Sequence, residues 1–343
     1  MRKHESWRER VPAGPARVAG RIAFVMCSLL AAATAGIVPR ANAEPYPARP
    51  LRFVVPQAPG GHSDVLVRIV AERLSDILKQ PIVVENRGGA GGTIAAEAVA
   101  RSAPDGHTLL LAGSNTLTLA PLLIKDLRYR ARDLAPVGTI ARVSYAFAVH
   151  PRLPARNIAE LVAYARAHPG DLNYASTGVA STSNLIFELL KRSASIDIVQ
   201  IPFKGSAIAA NELVSGRIDM MLGDLAALAP LAERGSLRLI AVAGAARAPG
   251  APDVATVAEQ GYPELAIEPW YGVVVPAGTP QPVVAVLSDA LRQVLRMPDV
   301  RARFDRLGFV PVEMMPEQLR ALIDGETVTY RALVERAEID PQR

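Results

Sequence analysis

The chain has 343 residues with 38 Lys+Arg against 33 Asp+Glu; half of it is hydrophobic, and it holds a single cysteine, Cys27. Seven of the basic and two of the acidic side chains fall in residues 1–43, leaving 31 of each in the remainder. A charge-balanced, cysteine-free remainder excludes disulfides, thiolate nucleophiles and Cys-ligated zinc or iron–sulfur centres, and has no general electrostatic reason to bind nucleic acid or an anionic membrane.

The first element is an export address. Arg2, Lys3, Arg8, Arg10, Arg17 and Arg21 precede an apolar run from Ile22 to Val38, and Ala41-Asn42-Ala43 ends it with a small-x-small cleavage pattern. The sequence therefore predicts a signal peptide over 1–43, a periplasmic location and no membrane insertion after cleavage, with a retained anchor as the alternative. Cys27 sits early in the run and leaves with the leader; no adjacent arginine pair supports a twin-arginine route.

The remainder reaches the size, roughly 250–300 residues, at which one hydrophobic core stops growing, so two lobes are expected. Apolar strand-like runs alternate with helical periodicity: a strand over Leu51–Val55 and a helix from Ser63 to Lys79, a strand over Ile82–Glu85 and a helix from Thr93 to Ser102, then a strand over Thr108–Ala112. The alternation resumes with a strand over Val137–Val149 and a helix over Ile158–Ala167. Leu172–Ala175, Asp197–Ile201, Ile218–Leu222 and Leu237–Ala243 read as strands, with helices over Ser181–Arg192 and Ala207–Val214. Tyr262–Glu268 reads as loop and Pro269–Val275 as a returning strand, before three helical stretches. This order predicts an α/β fold with a mainly parallel sheet in each lobe.

Chemistry-bearing residues cluster at strand-to-helix turns. Phe53 to Asp64 runs from a buried strand through Gly60-Gly61 into a helix whose start offers free N–H groups and a partial positive charge, which suits a carboxylate or phosphate; an ordinary capped turn is the plain alternative. Ser176, Thr177, Gly178 and Ser181 form a second such turn, where Ser181 or Ser183 also serves as a helix cap. Gly113-Ser114-Asn115 forms a third, at the carboxyl end of a strand, where open α/β sheets hold ligands. Lys204 offers a cation to an anionic ligand or lies on the surface, and Asp224 meets a ligand amine or hydroxyl or caps a helix. Arg87 with Gly88 to Gly92 lacks both P-loop and dinucleotide spacing and reads as a tight turn. His62, His107, His150 and His168 show no zinc spacing, so no metal and no cofactor is expected. Trp270 and Tyr271 line a cleft or simply pack, packing being the ordinary use of aromatics.

These segments resemble the Bug-type periplasmic solute receptors of tripartite tricarboxylate transporters. The likeness is carried by Tyr46-Pro47-Ala48-Arg49-Pro50, Pro59-Gly60-Gly61 with Asp64, Val83 to Gly92, and Ala103-Pro104-Asp105-Gly106. Asn173-Tyr174-Ala175-Ser176, Pro202-Phe203-Lys204-Gly205, Gly216-Arg217-Ile218-Asp219 and Trp270-Tyr271-Gly272 with Pro276 to Pro280 extend it along the chain. Gln57-Ala58, Ala180 and Asn184 depart from the common pattern. The resemblance implies a two-lobed type II periplasmic-binding-protein fold with the ligand in the cleft. It also implies a carboxylate held by Gly60, Gly61, Ser114, Asn115, Ser176, Thr177 and Gly178. Lobe one is expected over 45–140 with 268–343 and lobe two over 141–267. The expected partners are a small organic acid or amino acid and membrane transport subunits, with the receptor a monomer. Two other classes compete: a sensor presenting its closed form to a membrane signalling protein, and an exported serine hydrolase using Ser176 or Ser181, which would lack a Gly-x-Ser-x-Gly elbow.

Overall fold

The computed structural model describes residues 46–341. The predicted leader, with Cys27 and its cleavage pattern, lies outside them. Strand β1 (Leu51–Val55) buries Phe53 and Val55 in one cluster and Val54 in another, so it is covered on both faces, as an unbroken apolar run requires. Helix α1 (His62–Leu78) buries Leu66, Ile69, Val70 and Leu74 at helical spacing. Strands β2 (Ile82–Asn86) and β3 (Thr108–Ala112), flanking α2 (Thr93–Ala100), pair parallel with β1 on either side, Phe53 lying opposite Val84 and Leu109. A π-helical turn at Asn115–Leu119 continues into α3 (Ala120–Leu123).

The run expected as one strand over Val137–Val149 is two. Strand β4 (Leu134–Val143) ends one residue before β5 (Tyr145–Val149) begins, and the two belong to different sheets. Ser144 is therefore where the chain passes between them. The second sheet is completed by β6 (Asn173–Ser176), β7 (Val199–Pro202), β8 (Met220–Asp224) and β9 (Arg238–Val242), with α4 (Ile158–Ala167), α5 (Thr182–Ala194), α6 (Ser206–Val214) and α7 (Leu225–Glu233) between them. The chain returns to the first sheet on β10 (Trp270–Pro276), followed by α8 (Gln281–Arg296), α9 (Pro298–Arg306), β11 (Phe309–Pro311) and α10 (Pro316–Arg336).

The sheet orders are β11-β4-β10-β3-β1-β2 and β7-β6-β8-β5-β9. Both sheets are mixed: most strands of each share one sense, as expected, with reversed strands set among them. In the first, β10 runs antiparallel to β3 and β4, and β11 antiparallel to β4; in the second, β5 runs antiparallel to β8 and β9. The cause is topological. The strands on which the chain enters one sheet from the other, β5 and β10, run against the βαβ sense of their neighbours, and they lie inside the sheets, not at the edges. The α/β two-lobed architecture itself is as expected.

Each sheet organises its own core. Leu287, Leu291 and Val294 of α8 and Phe304 of α9 pack with α1 and Phe309 against the first sheet. Phe187 lies between Phe147 and Tyr174 on the second, at ring-centroid distances of 5.4 and 4.3 Å. Each fully buried side chain of this size contributes about 1.5–3 kcal/mol relative to exposure. Helix α10 serves both cores. Leu319 and Ile323 pack with Leu110, Trp270 and Val274, whereas Tyr330 and Val334 pack in the cluster that holds Phe147 and Phe187. Among the described residues, no helix is long and apolar enough to cross a membrane.

Candidate functional site

The turns that follow β1, β2 and β3 in the first sheet meet those that follow β6 and β7 in the second around one cavity of about 610 Å³, open mouth included. Its wall takes Gln57, Gly91, Gly92, Ser114, Asn115 and Thr116 from one side, and Tyr145, Thr177, Thr182, Lys204 and Gly205 from the other, with Trp270 and Tyr271 at the start of β10. Two glycines allow this convergence. Gly92 has φ +95°, and a Cβ there would lie 2.9 Å from Thr116 Cγ2 and 3.0 Å from Pro56 Cβ; Gly178 has φ +123°, and its Cβ would lie 3.3 Å from the Gly91 amide. The turn that meets Gly178 across the sheets is thus the one at Gly91, not the Gly60-Gly61 pair.

Ser114, Asn115, Thr177 and Lys204 of the sequence-predicted set line the cavity. Asn115 makes its most telling contact: its Oδ1 accepts hydrogen bonds from the Thr182 amide and the Thr182 hydroxyl, both at 2.9 Å, and so sits on the first turn of α5 from the opposite sheet. Lys204 is exposed, forms no ion pair among the described residues, and is the one charged side chain among those lining the cavity. Ser114 Oγ donates to Glu326 at 2.6 Å, so its proton is committed behind the wall.

The other predicted residues lie outside the lining, each with a local engagement. The Gly60 amide donates to Asp64 Oδ2 at 3.0 Å, and Gly61 is the buried N-cap of α1. Ser176 Oγ accepts from Gln200 Nε2 at 2.7 Å and from the Gly178 amide at 3.3 Å. Ser181 caps α5, accepting from the Asn184 amide at 3.2 Å while donating to the Gly178 carbonyl at 2.6 Å. No histidine is a partner of Ser176 or Ser181 among the described residues, so neither is set up as a nucleophile. Asp224, at the end of β8, is buried beside His62.

Electrostatics around the cavity follow from desolvation. Burial raises the carboxyl pKa of Glu326 against the hydrogen bonds from Ser114, Thr118 and Trp270, which pull it down. Burial likewise pushes the phenols of Tyr145 and Tyr271 well above their usual value, Asp224 adding to both shifts. Burial works against ionisation of Asp64 too, but Arg68, the Gly60 amide and Asn86 together hold its pKa below the ordinary value. Save for Lys204 the wall is therefore uncharged, its polar groups set among apolar ones such as Leu111, Ala112, Pro269 and Trp270. No cluster of three or more His, Cys, Asp or Glu suited to a metal occurs among the described residues.

Sequence reasoning missed Tyr145, Thr182, Thr116, Gln57 and the cavity role of Gly91 and Gly92, and left Trp270 and Tyr271 open between lining the cleft, which they do, and ordinary packing. Thr182 stands one residue from Ser181, which was singled out, and the run of glycines at Gly88 to Gly92 was a usable signal. Tyr145 had none, because it reaches the site through the sheet exchange at Ser144.

Comparison with known proteins agrees with this architecture. Residues 66–339 match the family described as the tripartite tricarboxylate transporter family receptor. Protein BugT of Bordetella pertussis is 36% identical over 304 residues, which is 88% of this chain and 93% of that protein. The structure of the periplasmic binding protein BugD superposes with a TM-score of 0.82 at 33% identity, over 87% of this chain and 100% of that one. MatC from Rhodopseudomonas palustris, solved with bound malate, gives a TM-score of 0.81 at 33% identity, over 84% of this chain and 100% of that one. Because the match runs through both sheets and the C-terminal helix, the chain belongs to the tripartite tricarboxylate transporter receptors, a family of Bug-type periplasmic solute-binding proteins.

Proposed function

We propose that this receptor captures a small organic acid or amino acid by its carboxylate between its lobes and hands it to the membrane subunits of a tripartite tricarboxylate transporter. The lobes are residues 45–143 with 268–343 and residues 145–267, joined at Ser144 and near Glu268 to Trp270, a boundary three residues beyond the 140/141 expected from sequence because β4 runs on to Val143; residues 1–43 direct export to the periplasm. Ligand binding favours closure because only the closed form offers both sides of the cavity at once.

The contact of Asn115 with Thr182 carries this reading. An amide oxygen on the first N–H and hydroxyl of a helix is the arrangement that a carboxylate oxygen would adopt, with the helix dipole in its favour. Lys204 then supplies the positive charge at the wall. An uncharged wall of mixed polar and apolar groups with one cation suits a small carboxylate with an apolar body, and MatC, solved with bound malate, makes malate a natural first probe. The sensor and hydrolase alternatives have no supporting observation.

Calorimetry with malate, succinate, aspartate and benzoate, each beside its neutral amide, tests the proposal. Saturable binding of at least one acid and none of the amides is expected, weakened at least about fivefold in Lys204→Ala, the loss of roughly 1 kcal/mol of screened attraction. Binding of amides as tightly as acids, or of cations in their place, would overturn it.

A further inference from the structure

A second contact between the sheets lies beside the cavity. His62 opens α1 on the first sheet, and Asp224 ends β8 on the second. Nδ1 of His62 and Oδ1 of Asp224 are 3.6 Å apart, with the side chains only 7% and 1% exposed. Neither atom has a hydrogen-bond partner among the described residues. The imidazole is held from both sides: Nε2 lies 2.9 Å from the Leu307 carbonyl, and the ring stacks on Phe309 with centroids 3.9 Å apart and planes at 15°. The turn that holds it is itself seated on the second sheet's α7, since a Cβ on Gly308 would come within 2.8 Å of Ala226 Cβ.

A carbonyl oxygen only accepts, so the Leu307 contact places a proton on Nε2. A neutral ring would then turn the bare lone pair of Nδ1 toward a buried carboxylate, which is unfavourable. A second proton converts the same contact into an ion pair. We infer that His62 and Asp224 form a proton-binding site between the two lobes, and that loading it favours the closed arrangement. The inference rests on the reading of this chain as a receptor that opens and closes.

Few other ionisable groups face the pair. On α1 itself, Asp64 is engaged by Arg68, Asn86 and the Gly60 amide. On α9, Asp305 and Arg306 precede Leu307 and are exposed. Tyr145 from β5 and Tyr271 from β10 stand near Asp224 as neutral phenols, and α7 has no ionisable residue before its last, Glu233. Burial alone lowers the pKa of His62, but Asp224 and the Leu307 carbonyl outweigh it and raise the group above its ordinary 6.5. The closed form therefore binds the proton more tightly than an open form with a solvated imidazole. Closure is favoured by acid, the benefit being complete below the ordinary histidine value and lost as pH rises through the raised one. One proton changes the closed-to-open ratio by at most about tenfold per pH unit within that window. By reciprocity, a ligand that closes the lobes draws a proton onto His62.

The test uses the ligand-free protein. Spin labels on cysteines introduced at exposed Gln293 of α8 and Glu233 of α7, in a chain whose own cysteine lies in the leader, report the distance between the lobes. From about pH 5.5 to 8.5, a range that brackets histidine titration, the short-distance population should fall with the midpoint at which His62 titrates by NMR. In Asp224→Asn, His62 should titrate at a lower pH and the distance should no longer depend on pH; His62→Asn should abolish the dependence equally. A wild-type distance indifferent to pH, or a dependence that persists in Asp224→Asn, would overturn the proton site. Acid binding by calorimetry alongside a pH-indifferent distance would remove the proton site and leave the receptor reading standing.

Discussion

Replacing Asp64 with asparagine keeps the shape of a buried side chain and changes only its hydrogen-bonding sense. Asp64 is 3% exposed, and both of its oxygens accept: Oδ1 from Asn86 Nδ2 at 2.9 Å, and Oδ2 from the Gly60 amide and Arg68 Nε, each at 3.0 Å. An amide in the same place must turn its NH2 toward a donor whichever way it faces. At least one buried donor then loses its partner, at about 1–3 kcal/mol. The Arg68 pair adds less than about 1 kcal/mol, because the arginine side chain is 52% exposed and screened. A total of about 1–4 kcal/mol should lower the thermal midpoint of Asp64→Asn by about 2–6 °C at neutral pH. The pH dependence carries a sign as well. The folded-state pKa of Asp64 lies below its ordinary 3.8, so its contribution is complete above that value and is lost as pH falls through the depressed one. Calorimetric scans should therefore give a gap between wild type and variant that is constant near neutrality and narrows below about pH 4. Equal midpoints at neutral pH, or a gap that widens in acid, would refute the reasoning.

Other substitutions probe the cavity wall. Gly113→Val would drive a Cβ to 2.5 Å from the Trp270 carbonyl oxygen, so it should cost about 1–3 kcal/mol of stability and weaken acid binding; a variant normal in both melting and calorimetry would show that this wall yields. Asn115→Ala removes both bonds to Thr182 and should weaken the ligand-free closed form by about 1–3 kcal/mol, read as a longer inter-lobe spin-label distance at one fixed pH. Ser181→Ala should cost about 1 kcal/mol through loss of the α5 cap, measured by chemical unfolding. Ester turnover by the wild type that vanished in Ser181→Ala would instead reinstate the hydrolase.

Local pattern was legible where one element made one decision. Leu51–Val55, Thr108–Ala112 and Ile158–Ala167 end where the sequence put them, because an apolar run or a helical stripe bounded by Gly, Pro or Asn has no competing reading. The break at Ser144 was invisible, since Val137–Val149 is mostly apolar, Arg142 and Ser144 alternate with Val143 as they would in one strand, and both halves are largely buried, one in each sheet. Phe309–Pro311 went unseen because three residues give no period, and only pairing with β4 makes them a strand. At the site, the turn residues Ser114, Asn115 and Thr177 were readable as small polar groups at strand ends. Their partners were not, since the donors that meet Asn115 come from Thr182, 67 positions along the chain.

That separation also bears on how the receptor must move. The sheets are tied covalently by the crossing strands and through a shared core by α10. The β4–β5 step passes beside β10, where the Val143 amide donates to the Pro269 carbonyl at 2.9 Å. Helix α10 lends Leu319 to one core and Tyr330 to the other, and between them Glu326 holds Ser114 and Trp270 of the cavity wall and Thr118 behind it. The contacts that remain, such as Asn115 with Thr182, Gly91 with Gly178, Gly88 with Lys204, Gly308 with Ala226 and His62 with Asp224, are one or two hydrogen bonds, van der Waals touches or a proton-dependent pair. Opening therefore costs only these few contacts, of about 0.5–1.5 kcal/mol for each ordinary hydrogen bond, whereas separating the sheets at α10 would expose two cores. A pivot along the crossing strands and α10, with the glycine turns and the His62–Asp224 pair parting first, is the motion that this inequality dictates.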